Sequence, residues 1–446
     1  MPSHGQELKS AAAPQSDAAW RLRFFTLWSG QALSLLGSGL VQFALVWWLT
    51  ISTGSATVLA VASLVGLLPF VVIAPFGGVL ADRWNRRWIM ILSDGIIALT
   101  TLALLIVYLT GYLEVWHVYV AMFVRSAAGA FHGPTMMAST TLLVPSKHLT
   151  RVSGLNQTLE GITRLASPAL GALLLEISDL RAVLLVDIVT ALLAIVPLFF
   201  FHIPQPELTP EQRARETGAW VLHDMRDGLD YMRRQPGLLT IVTLATGINL
   251  LLAPAFALLP LVVNKEYGGG APMLAAAETL FGVGVVLGGL ALAAWGGFRS
   301  KIATSMAGLV GIGVGCLLIG FAPLAAFWVV VAGMFLVGIM QSFTNGPVMA
   351  IFQTVVEPGM QGRVISLLGS IAMAVTPIGL LVAGPVADAL GVRIWYTVGG
   401  ILCLVIGLSA RFLPSYKVLD QVPAQPPVPP PLEATDRVEL SADPEP

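Results

Sequence analysis

Gly78–Arg87 reads Gly-Val-Leu-Ala-Asp-Arg-Trp-Asn-Arg-Arg. One long apolar run, 57–81, ends inside it and another, 88–110, begins directly after it. A stretch this short does not cross a bilayer, so it turns one membrane helix back into the next on the same side. Arg83, Arg86 and Arg87 indicate which side, because short loops rich in Lys and Arg stay in the cytoplasm. Asp82 stands where the first run ends, within reach of those bases. The glycines before it let neighbouring helices approach closely.

The same reading extends outward in both directions. Runs of about 18 or more largely apolar residues are membrane helices. Twelve occur, at 24–50, 57–81, 88–110, 115–142, 151–176, 181–202, 238–262, 272–295, 302–321, 325–352, 363–387 and 393–413. With both termini in the cytoplasm, all but five of the 24 Lys and Arg residues lie on that side. Arg181, Lys265 and Arg393 are opposite, and Arg125 and Arg164 lie within spans. One missed helix would invert every later loop and destroy this asymmetry, so it supports the count as well as the orientation.

Composition agrees. Of 446 residues, 56% are hydrophobic and 11% charged, against roughly 25% charged in soluble domains. A net charge of −1 gives no footing for nucleic acid. Cys316 and Cys403 lie inside apolar runs and imply neither a disulfide framework nor a metal site. No Gly-x-x-x-x-Gly-Lys-Ser/Thr stretch occurs, which argues against ATP drive. Of the six histidines only His132 lies well inside a span, and no His-Glu-x-x-His or Gly-x-Ser-x-Gly arrangement exists, so an intramembrane enzyme has no support.

The chain divides into five parts. Residues 1–20 read as a disordered cytoplasmic tail without a signal peptide. Residues 21–202 form a first six-helix bundle and 237–414 a second. Between them, 203–236 is a polar cytoplasmic loop in which Trp220, Leu222, Met225, Leu229 and Met232 recur at helical intervals, as on an amphipathic surface helix. Residues 415–446 are Pro-rich and acidic, a disordered tail. The halves repeat. Gly133-Pro134 and Gly346-Pro347 are 213 residues apart, as are Pro145 and Pro358; Pro168 and Pro377 then interrupt the fifth and eleventh spans. Internal repeats of this kind build transporters with a site between the halves.

The spacing Gly-x-Leu-Ala-Asp-Arg-x-x-Arg-Arg at Gly78–Arg87 resembles the loop between the second and third helices of the major facilitator superfamily. Asn85 stands where that family usually has glycine. Asparagine tolerates the left-handed backbone, so the turn is expected to persist. The resemblance implies a cytoplasmic gate containing Gly78, Asp82, Arg83, Arg86 and Arg87, with Asp94 joining its network. Four further stretches resemble the drug-efflux branch that contains the macrolide exporters: Trp28–Gly37, Leu64–Phe70, Arg125–Pro134 and Gly362–Ser370. Siderophore and lysophospholipid transporters share similar helices.

Ionisable residues inside membrane helices cost about 2.5–3.5 kcal/mol on insertion scales, so they face partners or water. Arg125 lies about ten residues into the fourth span and Glu160 about ten into the fifth, both near the midplane. Glu160 and Arg164 are spaced i, i+4 and share a face. An Arg125–Glu160–Arg164 cluster is therefore expected, with Glu160 taking a proton only when the pairing breaks. The resemblance links Arg125 with Gly129 to proton coupling. Asp187 and Glu278 have no base near them in sequence and are the other candidates for proton carriage or for holding a cationic substrate. Ser167-Pro168 with Gly171 resembles the antiporter motif of drug/proton exchangers, with serine in place of its glycine. Trp47, Trp48, Phe131, His132, Gln341, Phe343 and Asn345 are candidates to line a substrate cavity.

The expectation is an all-α integral membrane protein of twelve helices in two six-helix bundles. It sits in the plasma membrane as a monomer and uses no cofactor or metal. It exports amphiphilic compounds, macrolide-like or multidrug, in exchange for protons by alternating access. A siderophore exporter, a lipid flippase and an uptake symporter suit the same architecture, and a transporter-like sensor is the alternative from another class.

Overall fold

The structure, a computed structural model, describes residues 17–201, 203, 205, 226–227 and 229–409. Most of the tail expected at 1–20, all of 415–446 and most of the helix expected in 203–236 lie outside these residues. The last part of that helix, 229–233, is helical, and Met232 is fully buried with Leu238 and Ile241.

The helices are α1 (Asp17–Thr53), α2 (Ala56–Arg83), α3 (Arg86–Leu109), α4 (Val115–Leu143), α5 (Leu149–Ile177) and α6 (Leu180–Phe200) in the first half. The second half has α7 (Pro236–Ala257), α8 (Ala271–Trp295), α9 (Lys301–Gly320), α10 (Phe327–Val355), α11 (Pro358–Ala374), α12 (Thr376–Leu390) and α13 (Arg393–Ser409). Nine spans among the described residues are long and apolar enough to cross a membrane. The other three expected spans are α4, α5 and α13. The first two carry charged residues within the helix, Arg125 in α4 and Glu160 and Arg164 in α5, and the third is short, with 17 residues.

Capping chemistry sets the ends. Asp179 accepts from the Arg181 N–H at the start of α6, and Ser300 from the Ala303 N–H at the start of α9, each satisfying an orphan donor of a first turn. Asn85 does the same for α3, accepting from the Arg87 N–H at 3.1 Å. It has φ −67° and ψ 108°, so the left-handed turn expected there does not form. The side-chain cap, rather than backbone tolerance, is what asparagine supplies at this position. The eleventh expected span is also different: it is broken at Val375 into α11 and α12. Pro377 lacks an N–H and crowds the carbonyl four residues back. Its counterpart Pro168 lies inside an unbroken α5.

Within the first half, α1 packs on α5 and α6, α2 on α4, and α3 on α4 and α6. Within the second, α8 and α9 pack on α10, and α7 and α9 on α13. The halves meet along α2–α12 and α5–α8. Call the face where α1 begins the near face and the opposite one the far face. The largest buried apolar cluster runs through the far ends of both halves, from Leu40–Leu49 and Ala56–Ala62 to Ala255–Val263, Ala271–Ala277, Ala383 and Tyr396. Towards the near face the clusters are separate. Phe24, Leu27, Met90, Val152 and Leu198 belong to the first half, and Leu238, Ile302, Phe352 and Val364 to the second. Among the described residues, then, the halves share a core only towards the far face.

Candidate functional site

Three helices of the first half each carry two polar residues seven positions apart: Gln31 and Ser38 on α1, Asp94 and Thr101 on α3, Arg125 and His132 on α4. Seven residues are nearly two turns, so each pair lies on almost one face, about 10 Å apart along its axis. Because α4 runs antiparallel to α1 and α3, the six residues sort into two layers.

The layer nearer the far face holds Arg125, Thr101, Ser38 and, from α6, Asp187. Arg125 Nη1 lies 2.5 Å from Asp187 Oδ2. The Thr101 hydroxyl donates to the same oxygen at 2.7 Å and accepts from Arg125. Ser38 donates to Asp187 Oδ1 at 3.2 Å. The Asp187 side chain is fully buried, and Arg125 is 11% exposed. A buried ion pair is tolerable only when further hydrogen bonds meet its remaining lone pairs, and the two hydroxyls do that here. Gly37 brings α1 close enough: a Cβ there would meet Asp187 Cα at 3.2 Å and collide with the Thr190 hydroxyl.

The layer nearer the near face holds Asp94, Gln31 and His132. Gln31 Nε2 donates to Asp94 Oδ2 at 3.0 Å. His132 Nε2 lies 3.3 Å from Asp94 Oδ1. Asp94 is buried and the imidazole is one-fifth exposed.

These contacts revise the sequence reading. Arg125 is paired with Asp187 from α6, not with Glu160. Glu160 and Arg164 are both exposed, with no ion pair among the described residues. Asp187, expected without a base, has Arg125. Asp94, expected in the gate, belongs with His132, which was expected in the cavity. Arg86 and Arg87 bind within the first half. Arg86 donates to the Ala138 carbonyl near the end of α4 at 2.6 Å, and Arg87 to Phe199 near the end of α6 at 2.7 Å. Cations there complement the helix C-termini. The side chains of Gly78, Asp82 and Arg83 lie outside the described residues.

Ser167 and Gly171 face α1, and Pro168 is buried beside them. A Cβ at Gly171 would stand 2.8 Å from the Phe43 ring, and one at Gly39 would stand 2.9 Å from Ser167 Cβ. The motif's small residues therefore serve close packing of α5 on α1. Trp47 is buried in the far core, and Trp48, half-buried, packs against it. Phe131, Gln341 and Phe343 are half-buried and Asn345 is exposed; Phe343 lies 6.0 Å from the Trp295 ring. Glu278 is half-buried on α8 and has no ion-pair partner among the described residues. It is next to Thr279, which donates to the Leu165 carbonyl across the α5–α8 seam at 3.3 Å.

One contact at the far face was not legible in the sequence at all. Asp388, near the end of α12, accepts from the N–H groups of Ala56 at 3.0 Å and Thr57 at 3.1 Å, and from the Thr57 hydroxyl at 2.7 Å. Ser55 accepts from the Val58 N–H. The second half thus supplies a cap to the first turn of α2 in the first half. Gly384 lies beside it, where a Cβ would collide with Thr57.

The family model of the Major Facilitator Superfamily matches residues 27–301 and 255–441. Macrolide efflux protein A of Streptococcus pyogenes is 35% identical over 402 residues, covering 90% of this chain and 98% of the relative. Multidrug efflux pump Tap of Mycolicibacterium fortuitum is 26% identical over 405 residues, covering 86% and 94%. Among solved structures, a POT family transporter in complex with 5-aminolevulinic acid matches with a TM-score of 0.67 at 12% identity, over 89% of this chain and 96% of that one. A bacterial homologue of the iron transporter ferroportin in an inward-facing state matches with a TM-score of 0.66 at 13% identity, over 92% and 100%. At such identities these two structures speak to the fold alone.

Proposed function

The chain belongs to the major facilitator superfamily, and from that premise we propose that it exports amphiphilic, macrolide-like compounds across the plasma membrane in exchange for protons. The near face is the cytoplasmic one in this reading, as the Lys/Arg asymmetry requires. The substrate class rests on the likeness to macrolide efflux protein A, which extends over nearly the whole of that relative.

The observation that carries the mechanism is the far core shared by both halves, combined with near-face clusters that, among the described residues, each belong to one half. Halves that share their core at the far end and not at the near one would give a substrate access from the cytoplasm. Export then needs the far core to part and the near ends to meet. Protons enter through the buried acids. Protonating Asp187 removes the charge that holds Arg125, and Glu278 sits at the seam where the halves slide. Outward movement of substrate is thereby coupled to an inward flow of protons.

Inside-out vesicles with an imposed proton gradient test this reading, with labelled erythromycin and a cationic dye in parallel. Gradient-dependent accumulation of erythromycin, collapsed by a protonophore, is the expected result. Accumulation of neither compound by correctly inserted protein would reject the substrate class. Accumulation indifferent to the protonophore would reject the coupling.

The Asp388 cap offers a conformational test. An exposed helix cap contributes about 0.5–1 kcal/mol. Asp388→Ala should therefore move the population roughly two- to five-fold towards far-face opening. Spin labels at Tyr112→Cys and Leu324→Cys, both on exposed far-face turns, with Cys316 and Cys403 replaced by alanine, should report a larger share of long distances. An unchanged distance distribution would show that the cap does not hold the face closed.

A further inference from the structure

We propose that His132 and Asp94 form a second proton-binding site, between the Arg125–Asp187 pair and the cytoplasm. The proposal rests on the antiport reading but adds a site to it.

The argument begins with charge balance. Asp94 is buried, and its carboxylate has an amide donor from Gln31 and an imidazole as its neighbours. With His132 neutral, one negative charge is buried against neutral groups, which is costly. With His132 protonated at Nε2, the site holds a compensated ion pair. The site is therefore one proton short of neutrality whenever His132 is neutral. The Arg125–Asp187 pair is not short in this way, because arginine keeps its charge.

Partner atoms say the same. Neither His132 Nε2 nor Gln31 Oε1 has a hydrogen-bond partner of good geometry, although both atoms are buried. Buried polar atoms are normally satisfied. Here His132 Nε2 faces a carboxylate 3.3 Å away, with which it can share a proton. The rest of the imidazole is one-fifth exposed, so protons have a route to it that Asp94 lacks.

Among the described residues no other charge is paired with Asp94 or His132. On α1 the facing group is Gln31. On α3 the next charged residues are Arg87 and Arg86, bonded to the Phe199 and Ala138 carbonyls about two turns nearer the near face. On α4 it is Arg125, two turns further in and paired with Asp187 of α6. From Ala56 to Ala81, α2 has no charged residue. Glu160 and Arg164 of α5 are exposed and pair with neither acid.

The site's position gives it a purpose. It lies one heptad closer to the near face on the same three helices as the outer layer, with Thr101 and Asp94 sharing one face of α3. A proton held on His132 Nε2 passes to near-face water when the imidazole opens to it, and Asp94 then draws the next proton inward. Histidine is the side chain whose ordinary charge change falls between about pH 5 and 8, the range over which a cytoplasmic release step has to work.

The test uses carbon-13 histidine NMR of the full chain in detergent micelles, with His132→Gln identifying the His132 signal. The expected result is a His132 resonance that titrates between about pH 5 and 8, with a midpoint displaced by about one pH unit or more in Asp94→Asn. A resonance that does not titrate there, or one indifferent to Asp94→Asn, would overturn the proposal. His132→Arg keeps a permanent cation opposite Asp94 and separates folding from titration. It should melt close to the parent protein but lose the pH dependence of erythromycin export, and a parent-like pH profile in this variant would also overturn the proposal. Vesicle export by the parent protein that ignores the protonophore would defeat the antiport reading instead, leaving the NMR result to stand by itself.

Discussion

Asp187→Ala is expected to destabilise the folded protein by about 3–5 kcal/mol, the usual cost of removing one partner from a buried ion pair, and to abolish export. The cost is large because three donors converge on this carboxylate. Removing it strands the Arg125 guanidinium, 11% exposed, against two hydroxyls that have lost their acceptor. Thr101 and Ser38 hold Asp187 from α3 and α1, so four helices lose a common junction. Replacing both partners with apolar groups of similar shape removes the stranded charge. Arg125→Met with Asp187→Leu should therefore melt at a higher temperature than either single variant while remaining inactive in vesicles. Thermal unfolding of purified protein in detergent decides the stability claim. A single variant that melts like the parent, or a double variant no better than the singles, would show that the pair is not what joins these helices. Export by the double variant would remove it from the proton path.

Gly338→Leu is expected to prevent assembly of the second half. A Cβ at Gly338 would run into the Phe281 carbonyl, and one at Gly284 into the Phe335 carbonyl. A Cβ at Gly288 would stand 2.8 Å from Ile339 Cα. These are backbone atoms of the facing helix, which no rotamer change moves, so α8 and α10 must separate along their length. Overpacking a fitted core costs about 1–3 kcal/mol, and backbone contact places this change at or beyond the top of that range. Gly95→Ala is the control, since nothing lies within 4 Å of a Cβ there. In a helix interior alanine should then gain about 0.5–1 kcal/mol over glycine. Membrane yield and melting temperature of the two variants should move in opposite directions; equal behaviour would mean that α8 and α10 are not in such close contact.

Much of the architecture was legible because hydropathy and charge are one-dimensional signals. The turn at Gly78–Arg87, the spans on either side of it and the division after α6 all follow from where apolar runs stop. Counting residues also gave an expected depth, with Arg125 and Glu160 about ten residues into their spans. Rotation about each helix axis was not legible. Glu160 and Asp187 were both candidates from the sequence, and the packing of α6 beside α3, with α3 against α4, brings Asp187 to Arg125. The signal that would have helped is the repeated spacing of seven in Gln31/Ser38, Asp94/Thr101 and Arg125/His132, which is visible in the sequence but meaningful only once the three helices are known to be neighbours. Asp388 had no signal of any kind, because a lone acid near a helix end gives no hint of a partner more than 300 residues away.

The common spacing has a consequence for how this protein can change over generations. Substituting one of the six residues alters one layer and leaves the other to be judged separately. Deleting or inserting a single residue between the two positions of a helix turns one of them by about 100° relative to the other, so no rotation of that helix restores both. The segments 32–37, 95–100 and 126–131 should therefore keep their length even at positions whose side chains touch nothing of importance, in addition to the identity that a close approach such as that at Gly37 demands. In the interval between the layers, length is a constraint of its own.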